Sequence, residues 1–316
     1  VESTFPDLPL AHARAPAEPP SMTSHLLLVD AHHYAFRSFH AIRSLHAPDG
    51  TPTNAIFGFI KTLQKIVGIL SPTHVCVVWD GGLDEQRTRE WPAYKANRSE
   101  TPQDLAAQIP QIVAWLDAAG WPQFVRPGTE ADDWIGTLAH QASARAWAVT
   151  IASADKDFMQ LVTPEVRLLN PNDKSERPWG PPEVEAKTGV PPTLVADWLA
   201  LVGDSVDNIP GIPGVGPKTA ADLLRRFGSA QGVLAAAPSI KAEKLRAELL
   251  GAAETLRRNA VMVRLKCDLP GGPALDQLTP RPGDPALLRP MYQRWNFRSL
   301  LAALGPEGPA LQGELL

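Results

Sequence analysis

Short apolar runs that end in an acid recur along this chain, and they constrain the fold more than any other feature. Asp30 closes Leu26-Leu27-Leu28-Val29, and Asp80 closes Val75-Cys76-Val77-Val78-Trp79. Asp155 and Asp157 follow Ala148-Val149-Thr150-Ile151-Ala152-Ser153. Parallel α/β sheets place their sites at the carboxyl ends of strands, so these acids are expected to converge. Glu130, Asp132 and Asp133 form a further cluster, and Asp204 and Asp207 precede a Gly/Pro-rich turn. Converging carboxylates would repel by ~4 kcal/mol per close pair at an effective dielectric of roughly 20. Cations must hold them together, and an all-oxygen donor set suits Mg²⁺ or Mn²⁺ rather than zinc.

Composition excludes little. A chain of 316 residues can bury one large core or two smaller ones. Hydrophobic residues at 44% are ordinary for a globular chain, so no unusual class is indicated. The formal charge of −4 argues against a nucleic-acid partner only until the nine acids above are set aside, when it becomes +5. An acidic pocket within a basic surface is therefore expected. Two unmotivated cysteines, Cys76 and Cys267, imply a reducing compartment, and a cytoplasmic location is the expectation. No apolar run is long enough to span a membrane. Residues 1–24 are rich in Pro and Ala and lack the apolar stretch of a secretory signal. They read as a flexible tail, or as residues upstream of a start at Met22.

Residues 26–30 and 75–80 read as strands, and 54–70 as an amphipathic helix through Ile56, Phe59, Ile60, Leu63, Ile66, Val67 and Leu70. Thr101-Pro102-Gln103-Asp104 reads as a helix start with Thr101 as N-cap, leading into Ile109, Ile112, Val113 and Leu116. Helix 130–145 and strands 148–153 and 166–169 continue an alternating order that predicts a central, mostly parallel sheet. From 192 the pattern turns helical, over 192–202, 217–227, 241–265 and 291–304. A boundary is expected near 180–190, among Pro178, Pro181, Pro182, Pro191 and Pro192. It separates an α/β domain over 25–185 from a helical one over 186–304, with a tail over 305–316. The polar stretch 81–102 is long for a connection without a role. Within it, about 83–100 lacks a continuous apolar face and carries Pro92, so little burial offsets its ordering entropy and it is expected to be mobile until a ligand orders it.

Five motifs then occur in order: Leu28-Val29-Asp30, Gly128-Thr129-Glu130-Ala131-Asp132-Asp133, Asp155-Lys156-Asp157, Gly203-Asp204-Ser205-Val206-Asp207-Asn208-Ile209-Pro210-Gly211 and Gly214-Val215-Gly216-Pro217-Lys218-Thr219-Ala220. Together they resemble the 5′-nuclease domain of bacterial DNA polymerase I, within the flap-endonuclease family, across about residues 26–304. The resemblance implies an α/β, PIN-like domain with a helical arch over about 83–102, and a helical domain with a helix-hairpin-helix motif over about 203–228. It implies a monomer that hydrolyses DNA, and RNA annealed to DNA, from or near 5′ ends, flaps, nicks or gaps in replication and repair. Two Mg²⁺ or Mn²⁺ ions are implied, and K⁺ at the helix-hairpin-helix. Whether the chain is free-standing or the excised domain of a polymerase stays open. A ribonuclease of the related PIN-like fold and a structure-specific DNA-binding protein without catalysis are the competing readings.

Residue by residue, the resemblance assigns Asp30, Asp80, Glu130 and Asp132 to a first metal. Asp132, as a bridge, would serve a second with Asp155, Asp157 and Asp204 or Asp207, and Asp133 would act through water. Tyr94-Lys95-x-x-Arg98 matches the arch motif, with Tyr94 on DNA, Lys95 on the scissile phosphate and Arg98 steering the 5′ strand. Arg37 matches another phosphate-binding position. Gly214, Gly216, Lys218 and Thr219 would grip duplex backbone, where glycines allow close approach and a helix start offers N–H groups. Cations interleaved with Trp91 and Tyr94 suit single-stranded nucleic acid, although Arg87 and Arg89 read better as a solvated helix face. The chain departs from the family at Ala31-His32-His33, Trp79 and Ala154, which puts preference among blunt ends, gaps and flaps in doubt. His32 and His33 are expected to shape the site rather than ligate. Thr129 with Asp132 also reads as a capping box, and Asp155, Asp157, Asp204 and Asp207 also read as turn formers.

Overall fold

The apolar runs are parallel strands whose alternating side chains fill two cores. The computed structural model describes residues 24–306, so the expected tails fall almost wholly outside the described residues. Strands β1 (His25–Asp30), β2 (His74–Trp79), β3 (Gln123–Val125), β4 (Ala148–Ala152) and β5 (Val166–Leu169) form one parallel sheet in the order β3-β2-β1-β4-β5. Leu26, Leu28, Cys76 and Val78 enter one core, and Leu27, Val29, Val75 and Val77 enter the other. That is the two-residue period of strands buried on both faces.

Through the α/β part run helices α1 (Ala31–Ala41), α2 (Asn54–Leu70), α3 (Glu85–Glu90), α4 (Gln103–Ala118), α5 (Ala131–Ala144) and α6 (Pro181–Thr188). The helical part contains α7 (Val195–Val202), α8 (Pro217–Phe227), α9 (Ala230–Ala236), α10 (Glu243–Leu250) and α11 (Ala253–Val263), and α12 (Pro285–Arg294) and α13 (Arg298–Ala303) follow it in the chain. Between α7 and α8, β6 (Gly203–Asp204) and β7 (Ile209–Pro210) pair antiparallel. Helices α1, α2 and α4 cover one sheet face through Tyr34, Phe59 and Trp115, and α5 covers the other through Trp134 and Leu138. Each such fully buried side chain contributes about 1.5–3 kcal/mol through area removed from water.

Three sequence expectations change. Helix α4 begins at Gln103 with Pro102 as its N-cap, because Pro102 itself is extended at ψ 136° and so cannot be the first helical residue after a Thr101 cap. The predicted helix 241–265 is two, interrupted at Gly251-Ala252. Residues 285–303, grouped by sequence with the helical part, pack on the α/β core instead. There Trp115 Nε1 donates to Tyr292 Oη at 2.9 Å and Trp295 Nε1 to Gln111 Oε1 at 2.8 Å.

The chain leaves central β1 for β2 and β3, then returns across β1 to β4 and β5. Strand order thus switches beside β1, and a crevice opens there at the carboxyl ends. Gly81 sets its edge. Its N–H donates to Thr129 O at 2.9 Å and its carbonyl accepts from Gly128 N at 2.8 Å. A Cβ on Gly81 would lie 1.8 Å from Arg126 O, so only glycine lets the loop after β2 meet the loop before α5.

Candidate metal centre and nucleic-acid interface

Asp30 ends β1 and caps α1, accepting from His33 N at 3.0 Å and from Ser153 Oγ at 2.8 Å. Asp80 follows β2 and accepts from Ala131 N at 2.9 Å, which aligns it with Asp132 in the first turn of α5. Asp155 caps the short turn Lys156–Leu161, accepting from Asp157 N at 2.9 Å. Burial, opposed by the His33 donor and reinforced by Asp80, pushes Asp30 up to about 7. Asp132 is raised well above its ordinary value by burial and by Asp155 and Asp30, and Asp157 by burial and by Asp155 and Asp204. Asp155 is raised by burial and then by Asp207 and Asp204, against the Asp157 donor.

Carboxylate oxygens of Asp157, Asp204 and Asp207 all lie within 4.8 Å of one another. The buried Oδ1 of Asp157 has no hydrogen-bond partner among the described residues. An orphaned carboxylate oxygen in a crowd of acids that resist ionising is a donor set short of a hard cation. The residues fit a divalent ion. Asp155 raises Asp30 and Asp132 on one side and Asp157 on the other, and is itself raised by Asp207 and Asp204, so it lies electrostatically between the groups. Asp132, the bridge that the resemblance implies, has Asp155, Asp30 and Asp80 as carboxylate neighbours. Asp155 and Asp204 also act as turn formers, by accepting from Asp157 N and Val206 N at 2.9 Å, so the same carboxylates that face the cluster hold their own loops.

Glu130 and Asp133 share a buried cation. Arg87, expected on a solvated face, is 2% exposed and forks onto Asp133 at 2.8 and 2.9 Å while donating to Glu130 Oε2 at 2.6 Å. Asp133 also accepts from Lys266 N at 2.9 Å, so both its oxygens are engaged within the protein. Arg89 is exposed, as a solvated face requires. Thr129 Oγ1 donates to Arg126 O and accepts from Trp134 Nε1, so no capping box forms and Glu130 itself is the N-cap of α5.

Segment 91–98 buries two residues, Tyr94 and Lys95, amid exposed neighbours. Tyr94 is 4% exposed and donates to Glu130 Oε2 at 3.1 Å, so its ring is not free to meet DNA. Lys95 is buried with Nζ 3.1 Å from Glu130 Oε1 and 3.8 Å from Asp207 Oδ2. Burial would lower its pKa, but Glu130, Asp132 and Asp207 outweigh it and the net shift is upward. Arg98 reaches Asp207 at 2.5 Å and Lys156 reaches Asp204 at 3.0 Å. Among residues 83–102 the regular element is the short α3, followed by turns.

His32 Nδ1 accepts from Asp80 N at 3.2 Å, and burial lowers the ring's pKa against the pull of Asp80. The ring thus sits against the loop that carries Asp80. Arg37 lies elsewhere. It donates to Asn172 Oδ1 at 2.7 Å and Pro171 O at 2.9 Å, at the rim of a separate cavity of about 180 Å³. Gly214 takes φ +78°, whereas Gly216, the N-cap of α8, has φ −84° and needs no glycine on conformational grounds. A Cβ on either would meet nothing within 4 Å, which leaves room for an approaching ligand; Lys218 is exposed and Thr219 half-buried.

A family model described as 5′-3′ exonuclease, N-terminal resolvase-like domain, matches residues 25–189, and one described as 5′-3′ exonuclease, C-terminal SAM fold, matches residues 190–286. The 5′-3′ exonuclease of Aquifex aeolicus is 37% identical over 276 residues, 87% of this chain and 93% of that relative. The chain belongs to the 5′-3′ exonuclease family. DNA polymerase I of Rhizobium leguminosarum is 40% identical over 285 residues, 87% of this chain and 28% of that protein. The chain spans about a third of the length of such polymerase relatives. The bacteriophage T5 flap endonuclease, solved with DNA and metal ions, superposes with a TM-score of 0.64 at 23% identity over 77% of this chain and 89% of its own. The catalytic core of Rad2, solved with DNA substrate, gives 0.59 at 16% identity over 90% and 93%. Both share this exonuclease-family fold.

Proposed function

We propose that this exonuclease-family chain hydrolyses phosphodiester bonds at or near 5′ ends of DNA, including flaps, nicks and gaps, in replication and repair. One observation carries the reading: the acids at the sheet's carboxyl end open, beside Lys95 and Arg98, into a cavity of about 690 Å³ lined by Asp30, Asp80, Asp132 and Asp155. That volume lies within the range of a ligand site, about 300–1,000 Å³. When bound, two divalent ions supply charge stabilisation for the attacking and leaving oxygens of an in-line displacement. Asp30, Asp80, Glu130 and Asp132 would hold one, and Asp157, Asp204 and Asp207 the other, with Asp155 shared. Lys95 then exchanges Glu130 for the scissile phosphate, and Arg98 exchanges Asp207 for the 5′ strand. The turn at Gly214–Gly216 with Lys218 and Thr219 grips a duplex phosphate without reading sequence, and K⁺ would sit at that turn.

Cleavage of 5′-labelled flap, nicked, gapped and blunt duplexes, each with Mg²⁺, Mn²⁺ or EDTA, tests the proposal. Metal-dependent release from the 5′ side is expected. Tight binding with no cleavage of any substrate would identify a DNA-binding protein without catalysis.

A further inference from the structure

We infer that Arg87 is a positioning residue: it holds Glu130 from behind the metal centre, couples that carboxylate to residues 264–266, and does not contact DNA. The inference rests on the nuclease reading above. By composition Arg87 belongs with Arg89, Lys95 and Arg98, an array suited to a nucleic-acid strand. The fold removes it from that array.

The guanidinium joins three elements. From α3, Nη1 donates to Glu130 Oε2 at 2.6 Å and to Asp133 Oδ2 at 2.9 Å at the start of α5. Nη2 donates to Asp133 Oδ1 at 2.8 Å and to Arg264 O at 2.9 Å, beyond α11. The circuit closes twice more. Lys266 N donates to Asp133 Oδ1 at 2.9 Å, and Lys266 Nζ to Asp84 Oδ2 at 2.5 Å; Asp84 is the α3 N-cap and accepts from Arg87 N at 2.9 Å. Segment 264–269 can lie this close to α5 because residue 136 is glycine: a Cβ there would be 3.0 Å from Lys266 O.

Glu130 and Asp133 are three residues apart on one helical turn and both buried, so unpaired they would repel in a poorly screened setting. Only a planar fork neutralises both with directed hydrogen bonds, and lysine cannot reproduce it. With Oε2 taken by Arg87 and Tyr94, Glu130 keeps Oε1 towards Lys95, the side on which the acids converge. Arg87 thus sets which oxygen Glu130 offers the site, and contacts from beyond α11 set Arg87.

Arg87→Lys, Arg87→Met, Asp133→Asn and the double variant Arg87→Met/Asp133→Asn test this. The readouts are DNA affinity with its salt slope in Ca²⁺, Mn²⁺ affinity by calorimetry without DNA, single-turnover cleavage, and melting temperature in EDTA. Arg87→Lys should lower cleavage and Mn²⁺ affinity by about 10-fold to 100-fold, as loss of a ligand's supporting contact does. DNA affinity should stay within about twofold and the salt slope should not change. In the double variant both members of a buried pair leave together, so the melting temperature should recover towards the parent's while cleavage stays low. A weaker DNA affinity with a slope reduced by about 0.9 would make Arg87 a phosphate contact and overturn the inference. So would cleavage that returns with stability in the double variant, which is the signature of a purely structural role. A parent that cleaves no 5′-ended substrate breaks the nuclease reading instead, and the Mn²⁺ affinities would still decide the place of Arg87.

Discussion

Segment 91–98 and turn 211–219 were both expected from sequence to meet phosphates, yet the protein builds them in opposite ways. In the first, Lys95 N donates to Asp207 O at 3.0 Å, Trp91 Nε1 to Asn208 O at 2.9 Å, Asn208 Nδ2 to Ala93 O at 2.7 Å and Asn97 Nδ2 to Ser205 O at 2.9 Å. Lys95 adopts φ +55°, a left-handed backbone that costs a non-glycine residue energy and persists only where surrounding contacts over-determine it. In the second, Gly214, Gly216 and Lys218 face solvent with open space around both glycines. One region has its charges satisfied by the acids of the site, and the other holds N–H groups and a cation in reserve. The first should therefore govern the chemical step and the second affinity.

Asp155→Asn tests the centre that the first region serves. Single-turnover cleavage should fall by orders of magnitude. The metal-free melting temperature should hold or rise, because one repelling charge is gone. Saturating Mg²⁺ should raise the parent's melting temperature, adding about 2.7 kcal/mol at a hundredfold excess over Kd, and raise the variant's less. Near-parent cleavage by the variant would remove the two-metal assignment.

Lys95→Met and Lys218→Ala break the comparison if they behave alike. Lys95→Met should slow cleavage by about 100-fold, the scale for removing one transition-state donor, with little change in DNA affinity. It should also lower the metal-free melting temperature, because Glu130 loses a buried partner.

A pH series sharpens the electrostatic half of the contrast. Asp30 is raised from 3.8 to about 7, so its contribution to metal-free stability is full below its unfolded pKa and is lost as pH rises through about 7. Divalent ions need the ionised carboxylate, so Mn²⁺ affinity should climb towards pH 7 by about tenfold per unit if one proton leaves per ion. Calorimetry that shows a flat affinity across that range would mean Asp30 is not a ligand.

The smallest effect belongs to the open turn. Lys218→Ala should weaken duplex binding and reduce the slope of log K against log salt by about 0.9, with the saturated cleavage rate unchanged. Loss of rate at unchanged affinity would move Lys218 into the catalytic centre.

What sequence determined was periodic or covalent. Strand runs alternate every two residues and the α2 stripe every three to four, so β1, β2, β4, β5 and α2 were legible from local pattern. Acids that follow such strands must lie at one end of a parallel sheet, which made Asp30, Asp80, Asp155 and Asp157 legible as well. Tertiary structure decided which charges meet. Arg87 and Arg89 are two residues apart in a polar stretch, yet one is buried between two carboxylates and the other faces water. Nothing local distinguishes them, because a buried charge is set by partners distant in sequence: Glu130 and Asp133 are 43 and 46 residues away, and Arg264 is 177 away. The same holds for Lys95 with Asp207 and for Tyr94 with Glu130. Local pattern records the face on which a side chain lies, while burial of its charge depends on whether another element brings an opposite charge to that face.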